Sequence, residues 1–397
     1  MTKTSVVEHY LHRYAEPEIA LAATIKQPFD QVLVVPCYNE AEQFLTRMDV
    51  PGEERTLTIV VVNAPDNASA RTLKNNRQLL SILQQQAKPW QLIIDRVSVP
   101  LPHRQGVGLA RKIGADLALA LIAAGRINRP WIYFSDADAR LPADYFNADL
   151  PEAGSLLFGF RHRSDDEQVQ RRATLYELHL RYYAWQLQCA GSPYAFLTLG
   201  STIAVAATSY AVVRGVPRRN AAEDFYLLNK LAKVAPVSIL TQPVIELTAR
   251  LSDRVPFGTG PALRRIPDDS EQFLSYAPEV FTLLADTLVS LNRFASVGAA
   301  LALPDAAQGA LQELGWRAMQ SRLAALTSAV NRRRQLREWF DGFRTMRFVR
   351  LLAVVHPEVP LLKNLRRLLS AEPECAASEL LRRLIEAEKP VTISPTD

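Results

Sequence analysis

QVLVVPCYNE (31–40) and WIYFSDADAR (131–140) decide how this sequence is read. The first is a short run, apolar on both faces and rich in β-branched residues, that closes at Pro36. Such a run suits a buried strand of a parallel sheet. It gives way to the polar loop Cys37-Tyr38-Asn39-Glu40. In the second, WIYFSD reads as a strand of the same kind that runs straight into Asp136-Ala137-Asp138, so two carboxylates stand one residue apart where the backbone leaves the sheet. Close carboxylates repel unless a proton or cation sits between them, and oxygen ligands suit Mg²⁺ or Mn²⁺, which keep open positions for the oxygens of a diphosphate. Asp136 and Asp138 are therefore the expected metal ligands, although Asp-x-Asp also occurs in solvated turns, so its surroundings must carry the reading.

Those surroundings repeat a strand–helix alternation. TLTIVVVN (56–63) is a second apolar strand closed by Ala64-Pro65-Asp66-Asn67, and 68–87 reads as a helix. QLIIDRVSV (91–99) is a third strand, and 108–125 has helical spacing that stops at Gly125. Residues 31–138 thus predict an open, mostly parallel central sheet with flanking helices and a site at the carboxyl ends of its strands. Farther on, 197–213 reads as a strand and turn, and 223–234 as a helix with acids in its first turn. From 268 to 389 Leu, Ala, Glu and Arg dominate with helical periodicity and no further strand pattern. The expected organisation is a helical arm at 1–30, an α/β domain at 31–265 and a helical C-terminal region at 266–397.

Composition sets bounds. Of 397 residues, 48% are hydrophobic and 22% charged, which allows a sizeable core and argues against wholesale disorder. The excess of 46 basic over 41 acidic residues is modest, and no basic nucleic-acid motif appears, so no nucleic-acid partner is expected. Cys37, Cys189 and Cys375 are far apart and form no metal spacing. With charged residues Glu8, Arg13 and Glu16 interrupting the first stretch, a cytoplasmic location is the expectation. The charge-free stretch between Arg181 and Arg214 holds too many polar residues for a membrane span and reads as core. Seven arginines between Arg332 and Arg350, with Trp339, Phe340, Phe343 and Phe348 interleaved, suit either peripheral contact with an anionic membrane or a helix packed on its own domain.

Taken in order, PCYNE (36–40), VVVNAPDN (60–67), GVGLARKIGAD (106–116), FSDADARLPADYF (134–146) and AAEDFYLLNKL (221–231) each fall at a strand end or helix start. In this set the chain resembles the family 2 glycosyltransferases, inverting enzymes of GT-A fold, over roughly 31–235. The resemblance implies a GT-A nucleotide-sugar-binding fold and transfer of a sugar from a nucleotide-sugar donor, with UDP the expected nucleotide, to an acceptor hydroxyl of unknown identity. It places Pro36, Tyr38 and Glu40 around the nucleoside, with Tyr38 able to stack on the base and Glu40 to accept from ribose hydroxyls. Many relatives end the second strand in two acids; here Asn63 and Ala64 stand there, with Asp66 nearby, which leaves the base open.

The same resemblance puts the catalytic base at Asp224. Inversion requires the acceptor hydroxyl to attack opposite the leaving diphosphate, and a carboxylate within reach can take its proton. Glu223 beside it suits helix-start stabilisation. GVGLAR lacks the third glycine of a dinucleotide fingerprint and is read as the border of the nucleotide site, with Arg111 or Lys112 near donor phosphate. In TARLSDRVPFGTGPALRR (248–265), Arg250, Arg254 and the Gly-Thr-Gly turn suit a loop that closes over the diphosphate, with Arg254 aiding the leaving group. Two competing functions are a sugar-phosphate nucleotidyltransferase, which would carry a Gly-rich, Arg-containing loop after the first strand where PCYNE stands, and an inactive nucleotide-sugar-binding scaffold, against which the acidic residues weigh.

Overall fold

The computed structural model describes residues 3–40, 49–251 and 258–395, and two compact units divide the chain. Unit 1 comprises Met1–Ala173, Thr198–Arg264 and Lys389–Thr392; unit 2 comprises Thr174–Leu197, Arg265–Glu388 and Ile393–Asp397.

Unit 1 is built on the strands the apolar runs predicted. All of β1 (Gln31–Cys37) is buried, as is β2 (Thr56–Pro65) up to Ala64. Each fully buried Val, Leu or Ile contributes about 1.5–3 kcal/mol of hydrophobic stabilisation. β3 (Gln91–Leu101), β2, β1 and β4 (Trp131–Phe134) pair in parallel, with Val34 opposite both Ile59 and Phe134. Helices α2 (Ala70–Gln85) and α3 (Gly106–Ala123) make the crossovers, and α2 starts on Ser69, whose hydroxyl accepts from the Thr72 amide.

Past β4 the sheet departs from the simple pattern. β5 (Ala139–Arg140) and β6 (Ser155–Arg163) follow in sequence, and β7 (Ile203–Ala206) is inserted antiparallel between β4 and β6. β8 (Val237–Thr248) lies parallel to β6, β5 pairs antiparallel with β8, and a terminal strand Val391–Ile393 closes the order beside β8. The central sheet is therefore mixed, though mostly parallel in its first half. Its directions have a functional consequence: the ends of β1, β2, β4, β6 and β8 and the start of β7 all share one edge.

Before β1 come α1 (Lys3–Arg13) and a 3₁₀ turn at Pro17–Thr24, and both belong to unit 1. What fastens them is Asp116 of α3, fully buried, which accepts from the Tyr10 hydroxyl (2.6 Å), the Tyr210 hydroxyl (2.7 Å), the Glu16 amide (2.8 Å) and Lys112 Nζ (2.6 Å). A buried carboxylate this well supplied with donors is satisfied where a bare one would be costly.

Unit 2 is mainly helical, as the C-terminal periodicity predicted, but it also takes the greater part of α4 (Glu167–Cys189), and a two-stranded pairing of Leu274–Ser275 with Val359–Pro360 escaped the pattern because each strand has only two residues. Pro278–Val297 has the length and apolarity to cross a membrane, yet its Val280, Phe281, Leu284, Leu291 and Phe294 are buried. In the arginine-rich stretch, Phe340 and Phe348 are core residues 5.6 Å apart and the Arg344 guanidinium lies over Trp339. Arg332 donates to the carbonyls of Ala295, Ser296 and Leu326. These aromatics therefore serve the fold of unit 2, which favours the second of the two readings of that stretch.

Candidate active site

The shared strand edge collects the acidic residues into two clusters, and Asp136 and Asp138 send one carboxylate to each. Asp136 accepts from Arg111 Nη2 of α3. Arg111 also donates through Nε to Glu223 Oε1 (2.9 Å) and through Nη1 to the Gly200 carbonyl (2.8 Å), just before β7. Three chain segments thus close on one guanidinium. A Cβ on Gly200 would stand 2.5 Å from Arg111 Nη2, so any side chain there would have to displace the guanidinium. Burial disfavours the charge on Arg111, but Asp136 and Glu223 more than offset it and push its pKa further up.

α6 (Glu223–Leu231) begins in this cluster. Ala222, the residue before it, is held at φ 58°, a left-handed conformation that a non-glycine residue adopts only at a cost of about 1–2 kcal/mol. The strain sits where the helix presents Glu223 and Asp224. Asp224 keeps partial surface exposure and accepts from the Phe225 amide at 2.7 Å. Its carboxyl is raised to about 7: burial is the largest cause, Glu223 and Asp136 add negative charge, and the Phe225 amide and Arg111 oppose them. Glu223 is raised too, chiefly by burial against the pull of Arg111. A carboxyl poised near neutrality fits a general base.

The second cluster joins Asp138, Glu40 and Arg250. Pairing of β5 with β8 draws Asp138 to the end of β8, where Thr248 Oγ1 donates to the Asp138 carbonyl (2.6 Å). Arg250 Nη2 then meets Asp138 Oδ2 at 2.5 Å and Glu40 Oε2 and Oε1 at 3.0 and 3.1 Å. The Arg250 Nε–H is buried and has no partner among the described residues.

The remaining sequence-predicted residues divide clearly. Pro36 lies in β1 opposite Val61 of β2, and Tyr38 is half-buried in the loop after it. Asn63 braces that loop: its Nδ2 donates to the Cys37 carbonyl (3.0 Å), while its own carbonyl accepts from Asn76, whose Oδ1 holds the Asn39 amide (2.7 Å). An aspartate could not make the donation to Cys37, which gives the amide at this position a structural reason. Asp66 is exposed on the same edge and accepts from the His103 amide and ring, each at 3.1 Å. Lys112 is corrected: its ammonium is buried and donates to the Tyr10 hydroxyl, the Tyr14 carbonyl and Asp116, so it serves the arm and not a phosphate. Arg254 lies outside the described residues, and so does part of the 248–265 segment. His162 is buried in β6, and His179 Nδ1 meets Ser275 Oγ in unit 2.

The glycines before Arg111 admit backbone of this same chain. The Gly108 amide donates to the Arg219 carbonyl at 2.8 Å, and a Cβ on Gly108 would stand 2.4 Å from the Pro217 carbonyl oxygen and 2.6 Å from the Arg219 nitrogen. Gly108→Ala is expected to force α3 away from that loop and lower stability by about 1–3 kcal/mol; an unfolding midpoint equal to that of the unaltered protein would show that the loop yields freely.

Sequence reasoning gave Arg250 a loop role and Glu223 a helix-start role, but not their carboxylate and guanidinium partners. Glu40 and Arg250 are 210 positions apart and Arg111 and Glu223 are 112 apart. The only local signal was position, since Arg250 follows a strand end as Asp138 does.

A divalent cation needs carboxylate oxygens that are free to ligate it. Asp136 is engaged by the buried Arg111, Asp138 and Glu40 share Arg250, and no group of three Asp, Glu, His or Cys suited to a metal exists among the described residues. The donor set therefore does not fit the expected Mg²⁺ or Mn²⁺ site, because guanidinium groups already stand against its carboxylates.

No family model matches the chain, and no curated protein matches it. Among solved structures, S. aureus TarS 1–349 in complex with UDP-GlcNAc is similar to 82% of this chain over 91% of its own, at 14% identity and a TM-score of 0.38. A superposition that loose leaves the architecture resting on the strand order described above.

Proposed function

We propose that this chain is an inverting glycosyltransferase of GT-A type, moving a sugar from a nucleotide-sugar, with UDP the preferred nucleotide, to an acceptor hydroxyl. The observation that carries the reading is Asp224: a carboxyl held near pH 7 at a strained helix start, beside the strand-end acids Asp136 and Asp138. The acceptor oxygen forms a bond to the anomeric carbon as the bond from that carbon to the diphosphate breaks. Asp224 takes the hydroxyl proton, and the nucleoside diphosphate leaves on the opposite face. Arg111 holds Asp136 and Glu223 in place around the base, and Glu223 keeps the Asp224 proton affinity high. Tyr38 and Glu40, at the end of β1, are proposed to border the nucleoside.

Thermal unfolding with a panel of nucleotides and nucleotide-sugars tests the donor site. A ligand at a hundred times its dissociation constant stabilises the folded state by about 2.7 kcal/mol, which for a unit of this size raises the midpoint by roughly 5–10 °C. UDP or a UDP-sugar is expected to give such a shift. A panel in which no member moves the midpoint would remove the nucleotide-sugar reading.

A further inference from the structure

We propose that the Arg250 guanidinium is the resident cation of this site, standing where the Asp-x-Asp pattern would place a divalent metal, and that the site therefore takes up no divalent ion. The inference deepens the nucleotide-sugar reading and rests on it for the claim that the ligand is a diphosphate. Arg250 Nη2 lies 2.5 Å from Asp138 and within 3.1 Å of both Glu40 oxygens, so one fixed positive group answers two carboxylates from different strand ends. An arginine guanidinium stays protonated in proteins, so the charge is permanent. Asp136 is not placed to hold a metal instead, because it pairs with Arg111, which is itself fixed by Glu223 and the Gly200 carbonyl. A divalent ion drawn to Asp138 would meet the guanidinium at close range and be repelled.

The Arg250 Nε–H, buried and without a partner among the described residues, points the same way. A buried donor is costly to leave unmatched, and a guanidinium edge suits phosphate oxygens. Arg250 is thus the group assigned to the donor diphosphate, performing as a side chain the charge balancing that a metal performs elsewhere.

Titration of the full chain with Mn²⁺, followed by electron paramagnetic resonance of the free ion, decides the assignment without any nucleotide. The unaltered protein is expected to show no saturable site that Asp138→Asn removes. Arg250→Met, which takes the guanidinium away from Glu40 and Asp138, is expected to bind Mn²⁺ at least tenfold more tightly, and Asp138→Asn added to it is expected to abolish the gain. Binding of Mn²⁺ to the unaltered protein that Asp138→Asn eliminates would overturn the proposal, and that comparison does not depend on Arg250→Met folding. Calorimetry with UDP is the second arm: equal affinity in EDTA and in Mn²⁺ is expected, and a tenfold gain with Mn²⁺ would also overturn it. No UDP binding in either medium, with the Mn²⁺ results as expected, would leave Arg250 as the resident cation and remove the nucleotide reading alone.

Discussion

Asp224→Asn is expected to lower the rate of sugar transfer by about a hundred- to ten-thousand-fold, the usual contribution of a positioned general base, while donor affinity stays within a few-fold. The substitution is nearly isosteric, and the asparagine oxygen can still accept from the Phe225 amide as the carboxylate does at 2.7 Å. The helix start is therefore kept and only the proton acceptor is lost. The unaltered protein should show kcat/KM rising with pH and levelling above about 7, because Asp224 must be ionised to act and its carboxyl is raised to about 7 by burial and by Glu223.

Stability should move the other way. A carboxyl whose pKa is raised on folding binds its proton more tightly in the folded state, so stability falls as pH rises from about 4 to about 7. Asp224→Asn removes that penalty, and its unfolding midpoint is expected to exceed that of the unaltered protein at pH 8 and to match it near pH 4. Unchanged transfer by the variant would remove Asp224 from the mechanism. A variant both slower and less stable at pH 8 would point to a structural role.

Arg111→Met is expected to have the largest effect on stability. Arg111 and Glu223 are each 6% exposed at the side chain, and Asp136 closes the same cluster. Removing one partner of a buried ion pair costs about 3–5 kcal/mol because an uncompensated charge remains. At about 2–4 °C per kcal/mol for a unit of this size, the midpoint should fall by roughly 6–20 °C. Glu223→Gln combined with Arg111→Met should recover a substantial part of that loss, since the stranded charge is gone. The loss should also shrink in acid, where Glu223, whose carboxyl is raised by burial, can be neutralised. A fall of less than about 3 °C, or full additivity of the two substitutions, would mean that Arg111 is not the tie between α3, α6 and the Asp136 loop.

The two expectations depend on different parts of the structure. Asp224 works through its own proton, and Arg111 works by fixing the groups around it. Activity and stability measured on both variants therefore separate chemistry from architecture, which neither measurement does alone.

How much of this was legible follows from the range of the interactions. Strands β1 to β4, the helix after β3 and the helix at Glu223 could be read because apolar runs and helical spacing are local signals. The position of Asp136 and Asp138 at a strand end was equally local. The antiparallel insertion of β7, the allocation of most of α4 to unit 2 and the burial of Lys112 with Tyr10 were not, since each depends on which distant surface an element meets.

By itself the sequence determined that strand ends would gather acidic residues at one edge of an α/β sheet, because burial fixes where apolar runs go and polar loops must follow them. Only the tertiary structure decided what balances those acids. It brings Arg111 to Asp136 and Glu223, and Arg250 to Asp138 and Glu40, across separations of up to 210 residues. Charge pairing of that kind depends on distance in space, and spacing along the chain holds no record of it.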